Sequence, residues 1–248
     1  MLTAVQMNRE LYSGRWAGLA LLRYTRTAPF ALLILLTPVL ALAHNVSARD
    51  AAFVQSIDGP AIGPFLYLGA KHMVTGYDHL MFLVGVIYFL YRMKDVVQYD
   101  SLFTVGHSLT LLAGVLGGIR VNSYAVDAII GLSVVYKAFE NMGGFERLGL
   151  RLNTRVAVMV FGLFHGFGLA TKLQEFTLSA NGLVTNIVSF NVGVEIGQIL
   201  ALTAVLIAIA YWRTRSGFLR HAFAANTLLM AGGFTLIGYQ LVGWATQG

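Results

Sequence analysis

Six long apolar segments follow one another along the chain, and short connections carrying many of the basic residues separate them. The segments span residues 65–91, 101–119, 123–141, 156–171, 183–212 and 221–244. A helix needs about 20 apolar residues to cross a bilayer, and its internal hydrogen bonds satisfy the backbone there. None of the segments alternates with the period of two that is typical of a barrel strand. The sequence therefore predicts an all-α, polytopic membrane helix bundle with six transmembrane helices.

The balance of residue types favours the same class. Hydrophobic residues make up 57% of the chain and charged residues 11%, whereas soluble domains contain about 25% charged residues. We therefore expect the lipid bilayer to be the partner of this chain. Beside the six predicted helices, 248 residues leave no room for a large soluble domain. The chain has no cysteine, which excludes disulfides, iron–sulfur clusters and thiolate metal sites. The formal charge of +6 comes from scattered basic residues, so we do not expect a nucleic-acid partner.

The N-terminus has the pattern of a signal peptide. Arg23 and Arg26 precede an apolar run over 28–42, and the sequence Ala41-Leu42-Ala43 ends that run. A basic region, an apolar region and an A-x-A-like site are typical of cleaved export signals. We expect residues 1–43 to be a signal peptide, 44–62 a short periplasmic N-terminal segment and 63–248 the six-helix transmembrane domain. An uncleaved first helix is the alternative interpretation.

The basic residues also predict an orientation. With the mature N-terminus outside, the inside connections carry eight basic residues and the outside segments carry four. The eight are Arg92, Lys94, Arg147, Arg151, Arg155, Arg213, Arg215 and Arg220, and the four are Arg49, Lys71, Arg120 and Lys172. Because cytoplasmic loops carry the excess of lysine and arginine, we expect a multi-pass protein of the bacterial inner (cytoplasmic) membrane with both termini periplasmic.

Ionisable and polar side chains inside the apolar segments are the candidates for function. A charged side chain at the bilayer centre costs at least about 2.5–3.5 kcal/mol, so such residues need a partner or a task. Counted from the ends of their segments, several of them reach a similar depth, and the seven-residue spacing of His72 and His79 puts both on one face of a continuous helix. The predicted metal-binding set is His72, Asp78, His79, His107, His165 and Glu195. The predicted supporting residues are Lys137, Glu140, Asn191 and Gln198.

This combination of side chains suits divalent metal ions. Imidazole with carboxylate and amide oxygen favours nickel, cobalt, copper(II) or zinc. A carboxylate beside an imidazole, such as Asp78 beside His79, can orient the ring through its second nitrogen. Two ion pairs are open to Lys137, one with Asp78 and one with Glu140 three residues further on. No HExxH, P-loop or GxSxG motif points to a soluble enzyme.

Five short motifs carry a resemblance to a known family. They are K-H-M-V-T-G-Y-D-H-L at 71–80, F-T-V-G-H-S-L-T-L at 103–111, A-F-E-N at 138–141, F-H-G at 164–166 and F-N-V-G-V-E-I-G-Q at 190–198. Together they resemble the HupE/UreJ family from about residue 63 to the end of the last segment. The resemblance implies uptake of nickel or a related divalent cation by a small permease. It also ties His72, Asp78, His79 and His165 to transport.

The sequence departs from the nickel permeases of that family at one place. Those proteins extend Phe-His-Gly with a small residue and then Gly-x-Glu, whereas this chain has Ala170 and Lys172 at the glycine and glutamate positions. In this respect it is similar to the second HupE/UreJ branch. We therefore expect a permease, not an enzyme, with a divalent metal ion as its substrate. A membrane-embedded metalloenzyme with a fixed metal ligand, and an accessory subunit of a metalloprotein or metal-efflux complex, are the alternatives.

Overall fold

The computed structural model describes residues 48–175 and 179–247, and within them it is all-helical. The helices are α1 (Ala48–Gln55), α2 (Ile62–Thr75), α3 (Tyr77–Ile87), α4 (Met93–Leu116), α5 (Ser123–Asn141), α6 (Gly144–Arg147), α7 (Thr154–Gln174), α8 (Leu183–Arg213) and α9 (Phe218–Gln247). The predicted all-α class is confirmed over these ranges. The predicted signal peptide and its cleavage site at Ala43 lie outside the described residues.

Three of these helices, α7, α8 and α9, are long and apolar enough to cross a membrane, and α3 is a shorter apolar helix. The long helices α4 and α5 are more polar because they carry side chains that the bundle buries. Asp127 and Lys137 of α5 and His107 of α4 are all buried. These three polar side chains thus lie in the interior of the bundle, as is usual for such residues in membrane bundles.

The first predicted segment, 65–91, is not one helix. Helix α2 ends at Thr75, and Gly76 has φ −74° and ψ 106° before α3 begins. A Cβ at Gly76 would lie 3.0 Å from Nδ1 of His79 and 3.2 Å from Oδ1 of Asp78, so glycine leaves room for that pair beside the break. The prediction that His72 and His79 share a face of one continuous helix is therefore wrong. They approach each other across the break instead.

Helix α4 also begins earlier than predicted, at Met93 instead of residue 101. Its first turn contains Asp95, whose carboxylate accepts hydrogen bonds from the guanidinium of Arg92 at 2.6 and 3.2 Å. An acidic residue in the first turn is favourable because the helix dipole is positive there. The hydropathy pattern predicted only the apolar part of this helix, which begins at residue 101.

Close backbone contacts hold the helices in pairs. The most extensive contacts are those of α4 with α7, α2 with α8, and α5 with α9. A Cβ at Gly166 of α7 would overlap the carbonyl oxygen of His107 of α4, and one at Gly193 of α8 would overlap the carbonyl of Leu66 of α2. Small residues allow membrane helices to approach to this distance. These glycines therefore fix the spacing of the helices that carry the candidate site.

Hydrogen bonds identify two ends of the bundle. At one end, the guanidinium of Arg213 donates to the carbonyls of Ile87 at 2.7 Å and Leu90 at 2.8 Å, which joins the end of α8 to the end of α3. The last carbonyls of a helix have no partner within the helix, so Arg213 satisfies groups that α3 leaves open. At the other end, the Gln174 amide donates to the carbonyls of Gly114 and Ile119. We call these the Arg213 end and the Gln174 end.

Candidate metal site

Four histidines from four helices meet in the interior. The ring centroid of His79 lies 5.3 Å from that of His72, 6.0 Å from that of His107 and 4.9 Å from that of His165. His79 is 3% exposed, His107 and His165 are also buried, and His72 is half-buried. They belong to α2, α3, α4 and α7. The structure thus brings together all four predicted site histidines, and we call them the imidazole cluster.

Asp78 orients the central ring of the cluster. Its Oδ1 accepts a hydrogen bond from the backbone N–H of His79 at 2.8 Å and lies 2.9 Å from Nδ1 of His79. An ionised carboxylate can only accept, so Nδ1 carries the proton and the lone pair is on Nε2. The Nε2 atom is buried without a hydrogen-bond partner among the described residues. This is the state in which an imidazole binds a metal ion, and the predicted contact of Asp78 with the second nitrogen is present.

His165 and His107 complete this arrangement. Nδ1 of His165 lies 2.8 Å from the carbonyl oxygen of Phe161. Because a carbonyl only accepts, Nδ1 is the donor and Nε2 of the neutral ring carries the lone pair. The Nε2 atom of His107 is buried and makes no hydrogen bond within the described chain. The cluster therefore contains two buried imidazole nitrogens, Nε2 of His79 and Nε2 of His107, that have no hydrogen-bond partner among the described residues.

The spacing of the rings can be compared with that of a metal site. In a tetrahedral imidazole site, with metal–nitrogen distances of about 2.0–2.1 Å, ring centroids lie roughly 5 Å apart. The measured distances from His79 fall close to this value. However, no three histidine, aspartate or glutamate side chains in the described ranges are arranged to hold a metal ion. The side chains would therefore have to reorient for three nitrogens to meet at one point.

Glu195 belongs to a second polar group, between α4 and α8. Its Oε1 lies 3.4 Å from Oγ of Ser108 and 3.4 Å from Nδ2 of Asn191, and the Asn191 amide donates to Ser108 at 3.0 Å. Glu195 is half-buried, whereas Asn191 is buried. The described hydrogen bonds of Glu195 thus join it to the amide of Asn191 and the hydroxyl of Ser108. That Glu195 belongs to the metal-binding set remains a prediction.

Gln198 continues the polar contact between the same two helices. Its amide donates to Oδ1 of Asp100 at 2.5 Å and to Oγ1 of Thr104 at 2.8 Å. Asp100 and Thr104 were not among the predicted residues, because Asp100 lies just before the predicted start of its segment. The spacing of the polar residues along α4 and α8 could have revealed Asp100 and Thr104. Residues 100, 104 and 108 recur every four positions on α4, and residues 191, 195 and 198 share one face of α8.

The family model described as HupE / UreJ protein matches residues 48–248. This chain belongs to the HupE/UreJ family. No curated protein and no solved structure matches it. The HupE/UreJ family is associated with nickel and cobalt transport, and together with the apolar helices it indicates a membrane protein.

Two predicted supporting residues have a different place in this HupE/UreJ protein. Nζ of Lys137 lies 2.5 Å from Oε2 of Glu140, and the other carboxylate oxygen of Glu140 accepts a hydrogen bond from Thr154. Of the two ion pairs that the sequence left open for Lys137, the one with Glu140 is therefore present. These contacts join the end of α5 to the start of α7, so we interpret the pair as holding the Arg213 end together.

Lys172, which the sequence comparison singled out, forms a largely buried ion pair. Nζ of Lys172 lies 2.8 Å from Oδ2 of Asp127, and the two side chains are 13% and 7% exposed. Oδ1 of Asp127 is buried without a hydrogen-bond partner in the part of the chain described. The lysine therefore neutralises a carboxylate that α5 carries into the bundle near the Gln174 end.

We expect Lys172→Met to lower the thermal stability of the purified HupE/UreJ protein, since it leaves the Asp127 carboxylate buried without its cation. The double variant Lys172→Met, Asp127→Asn should lose less stability than the two single variants added together, with a coupling of about 0.5–3 kcal/mol. Thermal unfolding in detergent measures both effects. Strictly additive losses would show that the two side chains are not coupled.

Proposed function

We propose that this HupE/UreJ protein is an integral membrane permease for a divalent transition-metal ion, nickel or cobalt, and that the ion passes through the imidazole cluster. One observation carries the proposal. His79 is surrounded by the rings of His72, His107 and His165 at centroid distances of 4.9–6.0 Å, and Asp78 holds it in its metal-binding tautomer. Neutral imidazole with a nearby carboxylate is a suitable environment for these borderline cations.

A permease needs ligands that remove water from the ion and then release it. The imidazole cluster supports this role because its rings are close enough to share an ion but must reorient to do so. Asp78 offsets part of the positive charge when a cation reaches Nε2 of His79. The break at Gly76 also supports the proposal, since discontinuous helices near the middle of a bundle form the substrate sites of many transporters.

Six membrane crossings fit this proposal, with α2 and α3 together forming the first and α4, α5, α7, α8 and α9 forming the others. The Arg213 end then faces the cytoplasm, because the connections rich in basic residues lie there.

This topology predicts the activity of reporter fusions. Alkaline phosphatase, which is active only in the periplasm, should be active when fused after residue 248 and inactive when fused after Ser216, in the α8–α9 connection. The second fusion is the matched comparison for the other side of the membrane, and immunoblotting of both fusions measures their amounts. An active fusion at Ser216 or an inactive fusion at the C-terminus would contradict the proposed orientation.

Uptake into proteoliposomes tests the proposed function directly. The purified protein should accumulate nickel or cobalt faster than protein-free vesicles, and parallel measurements with copper and zinc give the order of preference. Absence of uptake together with tightly bound, non-exchanging metal would favour a membrane metalloenzyme. Absence of uptake with a stable stoichiometric partner after gentle purification would favour an accessory subunit. In this proposal the metal is a substrate, and the protein is not an enzyme.

A further inference from the structure

A small cavity lies between the imidazole cluster and the Arg213 end. Residues of α3 and α4 form most of its wall, including Val86 and Ile87 at the end of α3 and Val96 in the first turns of α4. Most of its lining is apolar, and the polar residues that line it are His79, Tyr99 and Asp100. The same cavity therefore contacts the central histidine of the cluster and a carboxylate nearer the Arg213 end.

Asp100 lies in a small group of oxygen-bearing side chains. Gln198 of α8 donates to its Oδ1 at 2.5 Å and to Oγ1 of Thr104 at 2.8 Å. The group thus contains a carboxylate, a hydroxyl and an amide, and a half-turn of the amide would present its oxygen in place of its nitrogen. Asp100 and Thr104 are four residues apart on α4, so both side chains lie on the same face of that helix.

Aromatic side chains also line this cavity. Phe103 follows Asp100 by three residues on α4, and its ring centroid lies 5.0 Å from that of His165 and 5.4 Å from that of Phe82. Both phenylalanines line the cavity. An ion that leaves Nε2 of His79 through the cavity would pass these rings before it reached the next oxygen ligand at Asp100.

We infer that Asp100, Thr104 and Gln198 form a second binding station for a divalent cation, on the release side of the imidazole cluster. Three observations support this: the cavity that His79 and Asp100 both line, the buried Nε2 of His79, which has no hydrogen-bond partner among the described residues, and the contacts of Gln198 with both Asp100 and Thr104. The inference rests on the proposed permease function.

The chemistry of the two stations fits transfer in this direction. Imidazole nitrogen binds nickel and cobalt well, whereas carboxylate, hydroxyl and amide oxygens suit harder ions. An ion at the second station is therefore held more weakly and can leave toward the Arg213 end. The carboxylate of Asp100 still offsets the charge of the ion in the apolar cavity. Binding at several sites, each weak enough to release, is what conduction requires.

Two variants test the second station. Asp100→Asn keeps the size of the side chain and removes its charge. Asp95→Asn makes the same change on the same helix at a carboxylate that pairs with Arg92 and does not line the cavity. Each protein is measured for nickel uptake in proteoliposomes and for nickel bound per chain by equilibrium dialysis in detergent.

We expect the unchanged protein to bind two nickel ions per chain with different affinities. Asp100→Asn should lower the affinity for the more weakly bound ion by at least about tenfold, which is the lower end of the loss that is typical when a metal site is altered. It should also slow uptake. The affinity for the more tightly bound ion should change little. Asp95→Asn should behave like the unchanged protein in both measurements.

The outcomes separate this inference from the proposed function. One bound ion in the unchanged protein, or an Asp100→Asn variant that matches Asp95→Asn, would overturn the second station while uptake by the unchanged protein still supports the permease. Absence of uptake by the unchanged protein would instead overturn the proposed function. Loss of the higher-affinity ion in Asp100→Asn would also overturn the inference, since it would place Asp100 at the imidazole cluster.

Discussion

Replacing His79 by alanine is expected to abolish metal uptake while the protein remains inserted and abundant. The ring of His79 lies close to those of all three other histidines of the cluster, and it is the ring that Asp78 orients. Its loss removes the central nitrogen ligand and leaves the Asp78 carboxylate without the imidazole. Nickel uptake into proteoliposomes, normalised to the amount of inserted protein, measures the effect.

A second histidine provides the matched control for this prediction. His221 lies near the start of α9 at the Arg213 end, so His221→Ala removes the same ring without touching the cluster and should leave uptake close to that of the unchanged protein. His165→Ala should resemble His79→Ala. His72→Ala should do less and mainly raise the apparent KM, because His72 is only half-buried. Normal uptake by the His79 and His165 variants would mean that the cluster is structural.

Adding one methyl group at Gly166 is the second change with a large expected effect. The Cβ of Gly166→Ala would overlap the carbonyl oxygen of His107 and Oγ1 of Thr110, and Thr110 itself donates to the carbonyl of Leu163 at 2.7 Å. Backbone atoms cannot turn away as a flexible side chain can, so α4 and α7 must move apart. We expect a loss of stability beyond the about 1–3 kcal/mol of ordinary overpacking.

The same movement should also reduce metal uptake, because it separates His107 from His165, which precedes the glycine. Thermal unfolding in detergent and uptake in proteoliposomes report the two effects. Gly238→Ala is the control, since a Cβ there meets no other atom within 4 Å and alanine favours a helix over glycine. A Gly166→Ala protein as stable as the Gly238→Ala protein would show that the two helices are not packed as described.

Much of the candidate site could be predicted from the sequence. Polar residues are rare in long apolar segments, so the histidines and Asp78 stood out, and the cost of burying them in a membrane predicted that they would be gathered together. Counting residues from the ends of the segments placed His79, His107 and His165 at similar depth and His72 about two turns further out, and the structure brings these four together. The contact between Asp78 and His79 followed from their adjacency in the sequence.

Other features of the site depend on contacts between helices that are distant in sequence. The break at Gly76 was missed because residues 65–91 were counted as one segment, and hydropathy does not distinguish a continuous helix from two short ones. Asp100 was missed because the apolar pattern does not cover the first turns of α4. Glu195 was predicted to join the histidines, whereas its described hydrogen bonds are with Ser108 and Asn191.

The sequence by itself determined the helical class and the family. It also identified the polar residues whose burial in a membrane is costly and therefore requires a partner or a function. These properties depend on composition, on local periodicity and on short motifs, which can be read along one chain. The tertiary structure decided which partners those residues take: Lys172 with Asp127, Arg213 with the carbonyl of Ile87, and Gln198 with Asp100. The physical reason is that helix spacing and rotation are set by packing at contacts such as Gly166 against His107 and Gly193 against Leu66, and a single amino-acid sequence does not specify those contacts locally.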